Sequence, residues 1–297
     1  MRILLAGASG FLGTRLADRL TASGHDLTRL VRRAPRSPGE MSWQPGRGEL
    51  DPAVVAAADI VIDLAGAGVG DRRWNAAYKE TLRASRIDST GTIARTIAAL
   101  PESDRPRALL QASAVGWYGD TGDRAVTENE PPADTFLAQL CRDWEAAARP
   151  AADAGTRVVL LRTGLPLARD GGFLQPLLPL FKLGAGAKLG SGRQWTPWIA
   201  LADWLAAVEF LIEHEEVAGP VNLVAPNPVT NAELTRALAR TLHRPALFAV
   251  PGFALDLALG EFGGEARASQ RVVPAVLEKA GFRWQCPDVE SGLASIA

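Results

Sequence analysis

The run GASGFLG, residues 7–13, constrains this chain more than any other stretch, because it follows the short apolar segment RILLA and opens a segment of helical period. Glycine at Gly7, Gly10 and Gly13 lets the backbone turn tightly at a strand end and lets a pyrophosphate approach the amides of a helix N-terminus. A turn that merely uses glycine is the plain alternative. What separates the two is whether a strand–helix alternation continues downstream.

It does. Apolar runs of strand length recur at RILLAG, DLTRLV, DIVIDLAG, RALLQASA and RVVLLRTG, separated by longer segments of mostly helical period. That order predicts an α/β fold, a Rossmann doubly wound parallel sheet with helices on both faces and a smaller, mostly helical C-terminal domain. The helices expected are FLGTRLADRLTAS, the long WNAAYKETLRASRIDSTGTIARTIAAL ending before Pro101, and TFLAQLCRDWEAAA with Phe136, Leu137, Leu140 and Trp144 on its buried stripe. Residues 1–165 are thus expected to form the nucleotide-binding domain, rejoined by about 199–225 through the helix LADWLAAVEFLIEH and the edge strand GPVNLVA. Residues 166–198, rich in Gly and Pro, and the helical 226–297 (TNAELTRALARTLHR, GFALDLALGEF, SQRVVPAVLEKAGFRW) are expected to form a substrate-binding cap.

Composition narrows the partners. The formal net charge of -1 indicates neither a nucleic-acid surface nor an acidic tail. Cys141 and Cys286 lie far apart without a CxxC pattern, which fits a reduced, cytoplasmic protein. The opening MRILLAGASG has no signal-peptide core, and no run of eighteen apolar residues suggests a membrane span. His25, His214 and His243 are scattered, so no metal site is expected.

Several residues fall where a dinucleotide would lie. The DLTRLV strand ends in Val31, Arg32 and Arg33, where an acid would bind the 2'-hydroxyl of NAD; arginine there favours the extra phosphate of NADP, unless the pair is simply an exposed basic strand end. DLAGAG puts Leu64, Ala65 and Gly66 at the carboxyl edge of the sheet, where small residues serve either a ribose or tight helix packing. QASAVGWYGDTGD puts Ser113 at a strand tip and Trp117 and Tyr118 in the next loop, hydroxyls that can orient or protonate a substrate carbonyl, or merely cap turns. On the long helix, Ser85 and Arg86 stand near the cofactor edge, with Arg73 and Trp74 toward a pocket, although charged helical residues are usually solvated. Trp74, Trp117 and Trp198, with the LGSGRQW loop, suggest aromatic pocket walls.

Together, GASGFLG, VRR, DLAGAG and SAVGWYG resemble the extended short-chain dehydrogenase/reductases. The blocks RRWN and SRI, LGSGRQWTPWI, APNPVTNAELTRALARTLHRPA and SQRVVPAVLEKAGF, which span essentially the whole chain, are similar to an atypical NADP-dependent epimerase-like family with a DUF1731 C-terminal segment. The resemblance implies NADP as cofactor, with contacts from Gly7, Ser9, Gly10, Phe11, Leu12, Gly13, Arg32, Leu64, Ala65, Gly66 and Ser85, to which the strand-end argument adds Arg33. It matches Ser113 to the superfamily's catalytic serine. The Tyr-xxx-Lys pair does not carry over: with Glu145 taken as the glutamate that follows the pair, Leu137 and Cys141 occupy its two positions. Ala200 stands where relatives carry histidine, three residues before Asp203.

The expectation is an NADP-dependent oxidoreductase or epimerase-like protein acting on an unknown small molecule, with Ser113 binding the substrate oxygen and Tyr118 as acid. The alternatives are a non-catalytic NADP(H)-binding regulator, which Leu137 and Cys141 favour, and an interaction scaffold, which GASGFLG followed by Arg32 disfavours.

Overall fold

All five apolar runs become strands. In the computed structural model, which describes residues 1–294 and 296, seven strands form one sheet: β1 (Arg2–Ala6), β2 (Asp26–Val31), β3 (Glu40–Ser42), β4 (Ile60–Asp63), β5 (Ala108–Ala114), β6 (Arg157–Thr163) and β7 (Gly219–Leu223). Their order is β7-β6-β5-β4-β1-β2-β3. β1 pairs in parallel with β2 on one side and β4 on the other, with Ala6 opposite both Leu30 and Asp63. Strand order therefore reverses at β1, which opens a crevice at the carboxyl ends of β1, β2 and β4.

Strand β3 was not legible in the sequence. EMS is too short to carry an alternation, and β2 recruits it through Arg29 N to Gly39 O at 2.8 Å and Trp43 N to Val31 O at 3.0 Å.

The first helices are α1 (Phe11–Ala22), α2 (Pro52–Ala56), α3 (Ala76–Ala99), α4 (Phe136–Ala147) and α5 (Arg149–Asp153). Helix α3 begins two residues later than expected because the Asn75 side chain accepts from Tyr78 N at 2.8 Å, a side-chain N-cap. It stops at Leu100, extended before Pro101. Leu4, Val61 and Leu109 from adjacent strands bury against Ile93 and Ile97 of α3, each such side chain contributing about 1.5–3 kcal/mol. The stripe of α4 differs from expectation: Ala138, Leu140, Cys141 and Trp144 are buried, whereas Phe136 and Leu137 are only half-buried.

The chain divides into two compact units. The first holds Met1–Ser113, Leu140–Leu161 and Val208–Pro220; the second holds Ala114–Gln139, Arg162–Ala207 and the chain from Val221 onward. Residues 114–139, which strand alternation alone assigns to the nucleotide-binding domain, thus group with the second unit, because the chain leaves the sheet at the tip of β5.

After β6 come α6 (Leu178–Lys182), α7 (Leu201–Glu213), α8 (Asn231–Thr241), α9 (Gly252–Leu259), α10 (Phe262–Ala266), α11 (Ala275–Lys279) and α12 (Val289–Ala294). Thr230 and Glu233 form a reciprocal capping box that starts α8. The segment SQRVVPAVLEKAGFRW is helical only over Ala275–Lys279. Its Arg271–Val272, of which Val272 is β-branched, pairs in parallel with Ala125–Val126, and Pro274 lacks the amide that a helix interior needs. Leu167, Phe181, Trp198, Leu234, Leu238 and Leu293 share the core of the second unit.

Candidate functional site

The glycine turn is fixed by sterics. Gly7 has φ +79°, and a Cβ on it would lie 2.5 Å from the Leu64 carbonyl carbon; a Cβ on Gly13 would lie 2.1 Å from Gly7 O. The turn is thereby pressed against the 64–66 loop on one side and the first turn of α1 on the other. Gly10 N donates to Gly7 O at 3.1 Å, and Gly10 caps α1 with no side chain over the helix end. The amides of Phe11 and Leu12, which have no carbonyl one turn earlier to bond, face this end and suit an anion. Ser9 is exposed on the same turn.

The two arginines after β2 separate. Arg33 makes a bidentate pair with Glu40 of β3, both bonds at 2.7 Å, and that guanidinium holds the Glu40 carboxyl down at about 2. Arg33 is therefore committed to a carboxylate, contrary to the expectation of two arginines open to a phosphate. Arg32 is exposed and has no ion-pair or hydrogen-bond partner among the described residues.

The 64–66 loop is carried by Asp63, which no motif in the sequence marks for that role. Asp63, fully buried at the end of β4, accepts from Ala65 N at 2.9 Å and from Thr90 Oγ1 at 3.1 Å, and burial pushes its carboxyl up. Thr90 in turn accepts from Trp144 Nε1 at 2.9 Å. A relay thus runs from α4 through α3 to the loop, and the only sequence signal for it was the Asp that opens DLAGAG. Ser85 ties the same loop down, accepting from Ala67 N at 3.0 Å and donating to Leu82 O at 3.2 Å.

Next to Ser85, the Arg86 guanidinium lies 4.9 Å from the Trp144 ring centroid and donates to Leu82 O at 3.1 Å. It is 8 % exposed and has no carboxylate partner among the described residues. Burying a charge costs several kcal/mol, whereas an indole face returns up to about 2 and a carbonyl about 1.5–3. That balance leaves a cation whose remaining donors suit an anion. Burial accordingly lowers its pKa.

At the tip of β5, Ser113 is buried and its Oγ donates to Glu145 Oε1 of α4 at 2.6 Å. A serine whose proton points to a carboxylate keeps its lone pairs for an incoming donor and can pass a proton to that carboxylate. From the sequence, Glu145 is legible only as a marker of position. Helix α4 carries neither Tyr nor Lys.

Tyr118 lies in the second unit, within a buried cluster. Its hydroxyl donates to Asn222 Oδ1 at 2.6 Å and accepts from Arg162 Nη1 at 3.1 Å, and burial pushes it up to about 12 against the pull of Arg162. Arg162 also stacks 3.8 Å from the Trp117 centroid and donates to Glu128 O at 3.1 Å. Glu128 Oε1 accepts from Asn222 N and Val276 N, while Oε2 is buried without a partner among the described residues.

The aromatic-wall expectation is corrected for these tryptophans. Trp198 is a core residue with Nε1 on Asn227 O, Trp74 is buried with Nε1 on Val69 O, and Trp117 lies under Arg162. Ala200 is fully buried in the apolar core of the second unit. Asp203 accepts from the amides of Gln285 and Cys286 at 2.7 and 3.0 Å, which makes it a tie for the C-terminal segment. Cys141 and Cys286 are buried thiols that are not joined in a disulfide. Among the described residues there is no cluster of metal-ligand type, and no helix is long and apolar enough to cross a membrane.

This architecture has known counterparts. The model of the NAD dependent epimerase/dehydratase family matches residues 3–224, and that of a domain of unknown function, DUF1731, matches residues 250–296. An epimerase family protein of Mycobacterium bovis is 45% identical over 95% of this chain and 93% of its own length. The crystal structure of human epimerase family protein SDR39U1 (isoform 2) with NADPH is similar at a TM-score of 0.90 and 31% identity, covering 100% of this chain and 99% of that one. A nucleoside-diphosphate sugar epimerase from Corynebacterium glutamicum is similar at a TM-score of 0.80 and 36% identity, over 99% of this chain and 57% of that one.

Proposed function

The chain belongs to the NAD dependent epimerase/dehydratase family, and from that premise we propose that it is a cytoplasmic NADP-dependent oxidoreductase or epimerase-like enzyme acting on a small molecule. The observation that carries the cofactor choice is the division of labour after β2: Glu40 takes Arg33, and Arg32 remains for a 2'-phosphate. No acid follows Val31 to repel that group. The fit of the diphosphate rests on the uncovered end of α1 and the packing of Gly7 and Gly13. The NADPH in the human relative's structure supports the same choice. Residues 166–198 and 226–297 are assigned to substrate binding.

When bound, the nicotinamide supplies or accepts a hydride. Gly7, Gly10 and Gly13 with the Phe11 and Leu12 amides hold the diphosphate, and Asp63 and Ser85 fix the Leu64–Gly66 loop beside it. A substrate hydroxyl that donates to Ser113 Oγ gives its proton to the serine as the serine's own proton passes to the Glu145 carboxylate, and the reverse direction returns both, so Glu145 takes over the proton handling that Leu137 and Cys141 do not support. Tyr118 is assigned a supporting role, since a hydroxyl near 12 with both hydrogen-bonding directions occupied is a poor proton donor.

The cofactor assignment is tested by fluorescence titration of NADPH and NADH. NADPH is expected to bind about ten- to hundredfold more tightly, the worth of one charge-assisted contact. Equal affinities, or no binding of either, overturn it. A non-catalytic NADP(H)-binding regulator is the second reading, favoured by the absence of Tyr and Lys on α4. NADPH consumption with carbonyl compounds that Ser113→Ala abolishes excludes it.

A further inference from the structure

Exposed apolar side chains gather in one part of the second unit. Eight large hydrophobic residues are exposed among the described residues, and all but Met1 and Met41 fall in two short segments: Leu180 and Leu183, then Leu247, Phe248, Phe253 and Leu257. These segments are neighbours in space. Phe248–Val250 pairs in parallel with Ala187–Leu189, Arg244 Nε donates to Lys182 O at 3.1 Å, and Gly190 N donates to Val250 O at 2.9 Å. Phe253 and Leu257 stand one turn apart on α9, while Leu255 between them is buried. Single apolar residues on a surface are ordinary; six together, with Leu183 81 % and Leu247 85 % exposed, mark a surface that something covers.

The uncompensated charge of these segments has one sign. Neither residues 171–202 nor residues 234–255 contain an Asp or a Glu, although the whole chain has a formal net charge of -1. Lys182 lies between Leu180 and Leu183, Lys188 on the paired strand, and Arg244 three residues before Leu247; none of the three makes an ion pair among the described residues. Asp256, the one acid on α9, is taken by Arg267.

We propose that this face docks on an anionic lipid surface, with the six apolar side chains entering the headgroup boundary and Lys182, Lys188 and Arg244 meeting lipid phosphates. An exposed leucine or phenylalanine gains by leaving water for the acyl boundary, and a lysine or arginine beside it keeps its charge at headgroup level while its stem lies in the apolar layer. A negative leaflet attracts those cations, which the chain's own acids leave unneutralised. The other occupant that suits an apolar patch is a second copy of the chain. In an isologous contact the patch meets itself, so every charge brought in unpaired faces charges of its own sign. Among the described residues no helix is long and apolar enough to cross a bilayer, so the contact is peripheral.

The test is sedimentation of the whole protein with vesicles of phosphatidylcholine alone and of equimolar phosphatidylcholine and phosphatidylglycerol. The protein is expected to pellet with the second, to stay in solution with the first, and to be released by rising salt. Phe253→Ser combined with Leu257→Ser should weaken vesicle binding about tenfold or more, as should Lys182→Gln combined with Lys188→Gln, with melting temperature and NADPH affinity unchanged in both. Absence from both pellets overturns the proposal, as does undiminished binding by the double serine variant. Equal pelleting with both vesicles overturns it too, because charge then selects nothing. So does a dimer in sedimentation velocity that the double serine variant dissolves, since the patch is then a contact between copies. Should the serine variant fail to fold, Leu183→Cys serves instead, labelled with a polarity-sensitive fluorophore while Cys141 and Cys286 stay buried. A blue shift on adding phosphatidylglycerol vesicles sustains the proposal, and an unmoved spectrum overturns it.

Discussion

The hydroxyl of Ser113 and the carboxylate of Glu145 meet at 2.6 Å, joining the tip of β5 to a helix that has no tyrosine or lysine to contribute. If this pair moves the substrate's proton, Ser113→Ala and Glu145→Gln should each lower turnover by about 10^2–10^4 while leaving NADPH affinity intact. Steady-state NADPH consumption beside a binding titration checks this. Full turnover in Glu145→Gln removes the carboxylate from the reaction.

Arg32 and Arg33 are adjacent in sequence but not in role. Arg32→Ala should erase about ten- to hundredfold of the preference for NADPH over NADH, and Arg33→Ala should cost less because Glu40 already holds that guanidinium. Paired titrations of both nucleotides measure it; equal losses in the two variants contradict the assignment.

Tyr118→Phe removes one hydrogen bond from Asn222 and one from Arg162 inside a buried cluster. The expected loss is about 1–3 kcal/mol of stability with turnover largely retained. Thermal denaturation and an activity assay at a temperature where the variant is folded separate the two effects. A folded variant without turnover would return Tyr118 to the role of acid.

Burial pushes the Glu128 carboxyl above its ordinary 4.5. The folded state then keeps a proton that the unfolded chain releases, so stability contributed by the protonated form is lost as pH rises from the unfolded value through the raised one, and levels off above it. Glu128→Gln keeps an oxygen for the Asn222 and Val276 amides and has no charge to bury. Its stability should therefore gain on the parent's as pH rises above the ordinary carboxylate value, and the difference should level off once the raised carboxyl has ionised, as read from urea midpoints. Parallel pH profiles would show that Glu128 titrates normally.

The strand–helix alternation, the glycine turn and the carboxyl-edge placement of Ser113 are legible in the residues alone, because each follows from local backbone limits and hydrophobic period. The RILLA–GASGFLG–FLGTRLADRLTAS succession leaves little freedom: Gly7 must take a positive φ, and Gly13 must let a carbonyl approach. Which of these residues stay available to a ligand depends on contacts made far along the chain. Arg33 is claimed by Glu40 on a strand too short to recognise, and Tyr118 is claimed by Asn222, 104 residues away in sequence. The helix without tyrosine or lysine found its purpose through Trp144, which reaches Asp63 by way of Thr90 and so steadies the loop beside the glycine turn. Local sequence sets what a side chain can donate or accept, but the partner that takes the bond is delivered by long-range register and packing, and no window along the chain contains that information.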